Sequence, residues 1–386
     1  MLQAMLKNGK LVTLAHFPRK DIERFRKEHE FYCPSCHSEV LIKAGHKIIP
    51  HFAHKNTGRC PRTFGEGPEH ELGKHLLYDW LRNQALPTKL EKYLPDIEQI
   101  PDLFLSIQDK FLAIEYQRAS LSRREFLHRT KGFQKSSITP LWILGENQYD
   151  KQSNNSIKLT NQLKQFLHKF SSTCRSSLYF FCPHTKGFIF VQDLHFTSNY
   201  RAIGSFQFIP LHKASFKHFF QYKVINKSRL YNSFLREKIN FRTKARGRAY
   251  GMQGKWLQWL YVRRMHWETL PSAVYLPVKN QIQMTSPPWD WQSRLVLDII
   301  EPLEAGEKFA VGECFHRLKN HLLPKDYYPL YSLNIHPIRE YLGLLEKLQV
   351  IKGVSENYFV KLKSIEFNKN IEDAIMNDKL LIHNLM

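Results

Sequence analysis

The sequence predicts a mixed α/β (α+β) protein built around one α-β-β-β-α-β unit over residues 65–150. Three observations carry that prediction. Apolar residues recur at helical spacing from Glu69 to Gln84. They alternate with polar ones from Pro101 to Gln117. Residues 33–60 hold a spaced set of Cys and His. The core is therefore expected to follow a β-rich, zinc-ribbon-like module at 1–64. A basic, mainly helical remainder comes after it, breaking at the polar stretch Tyr149–Ser156 and again at Pro287-Pro288. That gives a basic nucleic-acid-binding region at 151–286 and a helical unit at 287–386.

In the core helix, Leu72, Leu76, Leu77, Trp80 and Leu81 form one buried stripe, and Glu71, Lys74, His75 and Tyr78 lie on another face. Pro68 suits the first turn. A weakly marked strand over Thr88–Leu94 comes next. Residues 101–108 and 111–117 then read as two strands joined by a tight turn at Asp109-Lys110. That turn sets Gln108 opposite Phe111 and Asp102 opposite Gln117. One face carries Asp102, Phe104, Ser106, Ala113, Glu115 and Gln117. The other carries Leu103, Leu105, Ile107, Leu112, Ile114 and Tyr116, which is a core face. A slip of one residue would separate Asp102 from Glu115, and the apolar alternation argues against it. Ser122, with Glu125 three residues on, caps a second helix running to about Lys135, and Pro140–Leu144 is a buried strand.

Two acidic residues and a third polar group on paired strands are what divalent-metal phosphodiester chemistry uses. Taken singly, Asp102 after Pro101 is a turn residue at a strand start, and Glu115 and Gln117 are the solvated side of an edge strand. Glu69, His70 and Glu71 suit the positive end of a helix dipole. The conjunction with the helix and the element order favours metal chemistry.

Upstream, Met1–Arg19 reads as a hairpin about Asn8-Gly9, and Lys20–Glu30 as a charged helix or linker. Cys33-x2-Cys36, His51-x2-His54 and Cys60 offer five candidate ligands for the four places on a structural Zn²⁺. The preferred set is Cys33, Cys36, His54 and Cys60, with His51 as the alternate. Met1–Lys10 is not a signal peptide, so six Cys imply a reducing, cytoplasmic setting. No run approaches the 18 or so apolar residues of a membrane span.

The net charge of +22 implies a polyanionic partner, most simply nucleic acid, with a membrane surface as the other reading. From Leu211 to Tyr250 eleven Lys/Arg face one Glu. Phe216, Phe219, Phe220, Tyr222, Tyr231, Phe234, Phe241 and Tyr250 interleave, a mixture suited to single strands. Most of those aromatics read equally well as core. Arg118, Arg123, Arg124, Arg129 and Lys131 follow the acidic residues as phosphate contacts or as an exposed helix face. Arg242, Lys244, Arg246 and Arg248 read as a mobile phosphate-contacting loop. Residues 157–170 suggest an amphipathic helix, and Leu178–Phe181 with Phe188–Val191 a hairpin. Helices at Trp291–Glu304, Val311–Leu322 and Pro337–Leu348, then a hairpin over Val350–Leu362, resemble a winged-helix unit.

Glu71, Pro101-Asp102, Glu115-x-Gln117 and the order of elements resemble the PD-(D/E)xK nuclease superfamily, which has a restriction-endonuclease-like core. Adding Cys33-Pro34-x-Cys36, His51-Phe52-Ala53-His54, Cys60, Glu69-His70-Glu71, Lys74 and Ser120, residues 1–150 resemble more narrowly the competence protein CoiA family. The resemblance implies that Asp102 and Glu115 hold Mg²⁺ (or Mn²⁺), with Glu71 acting through water. Gln117 would orient the attacking water and Lys74 would stabilise charge. The superfamily usually has Lys where Gln117 stands; Lys can deprotonate the water, and Gln only hydrogen-bonds it. The resemblance further implies a Mg-dependent deoxyribonuclease in natural transformation, processing incoming single-stranded or branched DNA for homologous recombination. A recombinase or other competence proteins are the candidate protein partners. The alternative is a non-catalytic DNA-binding recombination factor that keeps the fold. A third reading is a restriction-type or RNA-directed nuclease.

Overall fold

Asn8-Gly9 turns the first hairpin as the sequence predicts. Gly9 takes φ +79°, which an L side chain resists, and Asn8 Oδ1 accepts the Lys10 N–H at 3.1 Å. The hairpin is β1 (Gln3–Leu6) and β2 (Leu11–Thr13), followed by α1 (Arg19–Glu28). Then come β3 (Phe31–Tyr32), β4 (Glu39–Lys43) and β5 (His51–His54), which complete a five-stranded sheet ordered β2-β1-β3-β4-β5. Ala4, Ile22, Phe31, Ile42 and Phe52 form its core. The structure, a computed structural model, describes residues 1–14, 17–45, 50–55, 60, 67–244, 250–333 and 335–385, without the Arg19 side chain.

The central unit is α2 (Pro68–Arg82), β6 (Thr88–Leu90), β7 (Leu103–Ile107), β8 (Lys110–Gln117), α3 (Arg123–Lys135) and β9 (Ile138–Gly145), the predicted order. Strands β6, β7 and β8 are antiparallel, and β9 runs parallel to β8 after the α3 crossover. Ile107 faces Lys110 and Leu103 faces Ile114, so the turn is Gln108-Asp109, with Gln108 at φ +52°. This register lies two residues from the expected one. Carried one residue further, it sets Asp102 against Glu115 in place of Gln117. An even shift leaves every side chain on its face. Leu103, Leu105, Leu112, Ile114 and Tyr116 therefore pack with Leu77, Trp80 and Leu81 of α2, and Phe104 and Ala113 with Phe133 of α3.

The sheet continues past residue 150, where the sequence suggests a boundary. β10 (Lys151–Ser153), β11 (Ser156–Lys158), the short α4 (Asn161–Lys164), β12 (Ser177–Cys182), β13 (Gly187–Phe196) and β14 (Arg201–Pro210) follow. They extend one nine-stranded sheet, β10-β11-β14-β13-β12-β9-β8-β7-β6, through the parallel pair β9–β12. The helix expected over 157–170 shrinks to α4. Ile157 belongs to β11, opposite Ala202, and Thr160 caps the helix by accepting the Leu163 N–H at 3.1 Å.

The remainder holds α5 (Lys227–Thr243), α6 (Gly251–Val262) and α7 (Pro288–Leu295), which a π-helical turn extends over Val296–Ile300. Then follow β15 (Lys308–Ala310), α8 (Val311–Arg317), α9 (Pro337–Lys347), β16 (Ile351–Ser355), β17 (Tyr358–Lys361) and α10 (Ile371–Leu385). The run from α7 to β17, with its sheet ordered β15-β17-β16, has the element order of a winged-helix unit. One apolar cluster joins Phe234, Trp256, Trp291 and Tyr341, so the break expected at 286/287 lies inside a single packed body. Phe216, Phe219, Phe234 and Phe241 are core, as their alternative reading has it. No described helix is long and apolar enough to cross a membrane.

Arg242, expected on a phosphate-contacting loop, is 1% exposed at the end of α5. Its Nε and Nη2 reach the Asp378 carboxylate of α10 at 2.5 and 2.9 Å, and Lys238 Nζ lies 3.1 Å from the same group. Arg242 Nη1 also donates to the carbonyls of Glu268 and Leu270. Arg242 is thus committed to holding α10 on α5. Asp378→Asn should leave two buried cations facing a neutral amide and cost about 3–5 kcal/mol. The urea midpoint reads that loss; Arg229→Ala, exposed on the same helix, should cost less than about 0.5 kcal/mol.

Candidate active-site cleft and cysteine-histidine cluster

The N-terminal turn of α2, the end of β8 and the start of α3 enclose a cleft of about 590 Å³. Asp102, Glu115 and Gln117 reach it together, beside Glu69, His70, Arg118 and Arg129. Both carboxylates are nearly buried, so each must find a partner. Asp102 Oδ2 accepts the Tyr116 N–H at 2.8 Å and stands 3.4 Å from His70 Nε2. Arg129 Nη2 donates to Glu115 Oε1 at 2.5 Å and to the Ile100 carbonyl at 3.1 Å. The partly exposed Gln117 donates from Nε2 to the Ala119 carbonyl at 2.9 Å. His70 stacks on Tyr116 with centroids 5.6 Å apart. Burial pushes the Tyr116 phenol well above its ordinary range, and its hydroxyl donates to the Phe181 carbonyl at 3.3 Å. Gly73 permits this packing, since a Cβ there would lie 2.1 Å from the Tyr116 ring.

Glu71 and Lys74 stand behind the cleft and do not line it. Lys74 Nζ, 1% exposed, lies 2.6 Å from Glu91 Oε1, 3.2 Å from Glu71 Oε2 and 3.9 Å from Asp102 Oδ1. Glu71 Oε1 lies 2.9 Å from the Met1 amine. Glu91 also accepts the N–H groups of Leu2 (3.2 Å) and Gln3 (3.4 Å), and its own N–H donates to the Asp102 carbonyl at 3.0 Å. Glu91 holds φ +47°, a left-handed conformation that non-glycine residues rarely take. One buried residue thus joins β1 and α2 through its carboxylate and the Asp102 backbone through its own N–H.

Three of the arginines expected to meet phosphate, Arg118, Arg123 and Arg129, are held by the protein. Arg118 pairs with Glu69 and, at 2.7 Å, with Glu146. Arg123 lies 3.5 Å over the Tyr327 ring and donates to its carbonyl at 2.7 Å. A hydrogen bond from His184 and the charge of Arg118 keep Glu69 below the usual carboxylate range. Arg124, Lys131 and Lys244 are exposed. Arg246 and Arg248 lie outside the described residues.

The N-terminal module gathers the other predicted set. Cys33 and Cys36 sit on the turn from β3 to β4, where His37 takes φ +57°; His54 ends β5, opposite Val40. The ligand atoms of Cys33, Cys36, His54 and Cys60 all lie within 4.8 Å of one another. Cys33 Sγ is 3.8 Å from Cys60 Sγ, and Cys36 Sγ is 3.3 Å from His54 Nε2. Thiolates at a metal–sulfur length of about 2.3 Å on a tetrahedron stand roughly 3.8 Å apart, so the set fits a metal ion. Burial raises the Cys36 thiol, but hydrogen bonds from Ser38, His54 and Cys60 outweigh it and lower it to about 6. The alternate ligand His51 is not in this group, which is the one such gathering among the described residues.

Three family models match successive parts of the chain. They are the competence protein CoiA N-terminal domain over residues 14–63, its nuclease-like domain over 66–224 and its C-terminal domain over 230–375. The chain is 31% identical over 275 residues to competence protein CoiA of Bacillus subtilis (strain 168), covering 70% of this chain and 72% of that protein. The chain belongs to the competence protein CoiA family. No solved structure matches it. The nuclease-like match, 66–224, spans the whole run from α2 to β14, and so the cleft and the whole nine-stranded sheet.

Sequence reasoning missed Glu91 and undervalued His70. Glu91 carries no motif; the one available signal was an acidic residue closing a short strand beside the core helix. Glu91→Gln should loosen β1 and leave Lys74 partly compensated, costing about 3 kcal/mol. Amide exchange should quicken at Leu2 and Gln3 while α5 and α10 keep their protection. Gly73→Ala should cost about 1–3 kcal/mol through overpacking against Tyr116, measured by the denaturation midpoint.

Proposed function

We propose that this chain is a competence-associated DNA-processing protein whose cleft hydrolyses phosphodiesters with a divalent cation. The observation that carries the reading is the meeting of Asp102 and Glu115 at one open cleft, within the residues that match the nuclease-like domain. Two carboxylates beside a side-chain amide form an oxygen donor set, the kind that hard cations such as Mg²⁺ or Mn²⁺ take. Asp102 and Glu115 would hold the ion. When bound, it supplies Lewis-acid polarisation of the phosphate and a water of lowered pKa.

The chain's own groups have separate tasks. The Tyr116 N–H and His70 orient Asp102. Arg129 holds Glu115 in place through their ion pair and offers its guanidinium to the same cleft. Gln117, freed from the Ala119 carbonyl, would hydrogen-bond the attacking water. Lys74 fixes the charge balance behind Asp102, and Glu71 would act at second hand, through water. In the N-terminal module, thiolate and imidazole donors suit Zn²⁺ in a structural role. The setting is the cytoplasm, the substrate incoming single-stranded or branched DNA, and the candidate partners a recombinase or other competence proteins.

A specific observation favours a second reading, a non-catalytic DNA-binding recombination factor. Gln117 cannot take a proton, and Lys74 is enclosed by Glu71 and Glu91.

Labelled single-stranded, duplex, flap and branched DNA, with an RNA arm, should be incubated with the protein in Mg²⁺ and Mn²⁺. Metal-dependent cutting that falls roughly a thousandfold or more in both Asp102→Ala and Glu115→Ala would support the enzyme. Salt-sensitive binding without cutting by the wild type would favour the second reading. Elemental analysis should find one zinc per chain, lost in Cys33→Ser and Cys60→Ser; a chelator should loosen the N-terminal module.

A further inference from the structure

A second and larger cleft, of about 820 Å³, lies at the far edge of the nine-stranded sheet. Its walls come from β10, β11, the start of β14, the end of α5 and the N-terminal turns of α6 and α7. Sheet order puts β14 four strands from β8. At ~4.8 Å per strand that is roughly 20 Å from the acidic cleft.

Three cations meet there: Lys158 of β11, Arg201 of β14 and Lys244 at the end of α5. Glu237 is the one carboxylate in the wall, and it takes Arg201 at 2.9 Å. Asp150, 3.8 Å from Lys158 Nζ, offsets part of that charge from outside the wall. Lys158 and Lys244 are exposed. Gln152, Asn240 and Gln253 add side-chain amides.

The distinctive element is Tyr200, whose side chain is presented at the loop between β13 and β14 with 56% of its surface exposed. Its backbone is fixed: its carbonyl accepts the Leu159 N–H at 2.8 Å, and its N–H donates to Ser198 Oγ at 3.2 Å. The buried Lys164 ammonium lies 5.6 Å from the ring centroid. The ring is therefore held over a cation with surface to spare. A ring so held offers its free face as a stacking surface at little further loss of side-chain freedom.

We propose that this cleft is a second binding site, for single-stranded nucleic acid, in which Lys158 and Lys244 meet phosphates and Tyr200 stacks on a base. Cations beside an exposed, backbone-fixed aromatic are the means by which strands are held without sequence preference. A duplex would satisfy the cations and leave Tyr200 idle, because its bases already stack on each other. An acidic polypeptide would likewise use the charge and not the ring. The inference rests on the proposed reading that nucleic acid is the polymer handled, and it assigns a place on the chain where a strand is held apart from the acidic cleft.

Fluorescence anisotropy of the full chain with oligo-dT, oligo-U, a duplex and poly-glutamate as competitor, across a salt series, tests it. Tyr200→Ala should weaken oligo-dT binding by roughly tenfold and Tyr200→Phe should not. Lys158→Ala with Lys244→Ala should reduce the salt slope by about 0.7 per lysine. All three side chains are exposed, so the variants should fold; the unfolding midpoint checks that. Equal losses on oligo-U would widen the ligand to RNA and support the site. Wild-type binding and slope in the variants would overturn it, as would a duplex or poly-glutamate that binds best and ignores Tyr200. If the wild type cuts nothing while these variants lose binding, the enzyme reading falls and this site stands. Cutting with unchanged variant binding removes this site alone.

Discussion

The ammonium of Lys74 has almost no contact with water, and much of the structure answers to that fact. A buried cation is tolerated only among compensating anions and hydrogen bonds. Glu91 and Glu71 provide the anions, and Asp102 adds a third carboxylate at slightly longer range. Each belongs to a different part of the chain. Glu71 fixes the rotation of α2, Glu91 recruits the first strand of the N-terminal sheet, and Asp102 faces outward into the cleft. The two sheets are therefore tied at the floor of the acidic cleft.

A chain with a net charge of +22 might be pictured as a uniformly basic surface. Around the cleft the picture is different. Arg118, Arg123 and Arg129 are each occupied, by Glu69 and Glu146, by Tyr327, and by Glu115. Such pairs hold a guanidinium in one orientation at a cost already met in folding, so a polyanion entering the cleft meets fixed donors. Exposed basic charge also lies away from the cleft, on lysines such as Lys158 and Lys244.

The core was legible in the sequence because alternation and helical spacing are strong signals. The β7–β8 faces, the Ser122 cap and the order of elements appear as read; of the α2 stripe Leu77, Trp80 and Leu81 are buried, but Leu72 and Leu76 only half so, because the ion pairs of Glu71 and Lys74 bring that side of the helix inside. The register did not appear as read, because shifts of two residues preserve the alternation that the argument relies on. Only the left-handed Gln108 decides between them, and Gln carries no turn signature. The cysteine-histidine set was legible because its members are few and closely spaced. Arg242 was misread because its partner, Asp378, stands 136 residues away. The suggested boundary near residue 150 failed for a related reason. A polar stretch marks a turn, but whether the next strand joins the same sheet depends on a distant partner, here β14 for β11.

That long separation between α5 and α10 also bears on the order in which the molecule can be assembled. The central unit from α2 to β9 pairs neighbours in sequence and can close while the rest of the chain is still being synthesised. The C-terminal body cannot. Lys238 and Arg242 emerge long before Asp378 and have to stay hydrated until it arrives. A ribosome-bound chain would thus carry a finished sheet and an open helical body, with α10 as its closing piece.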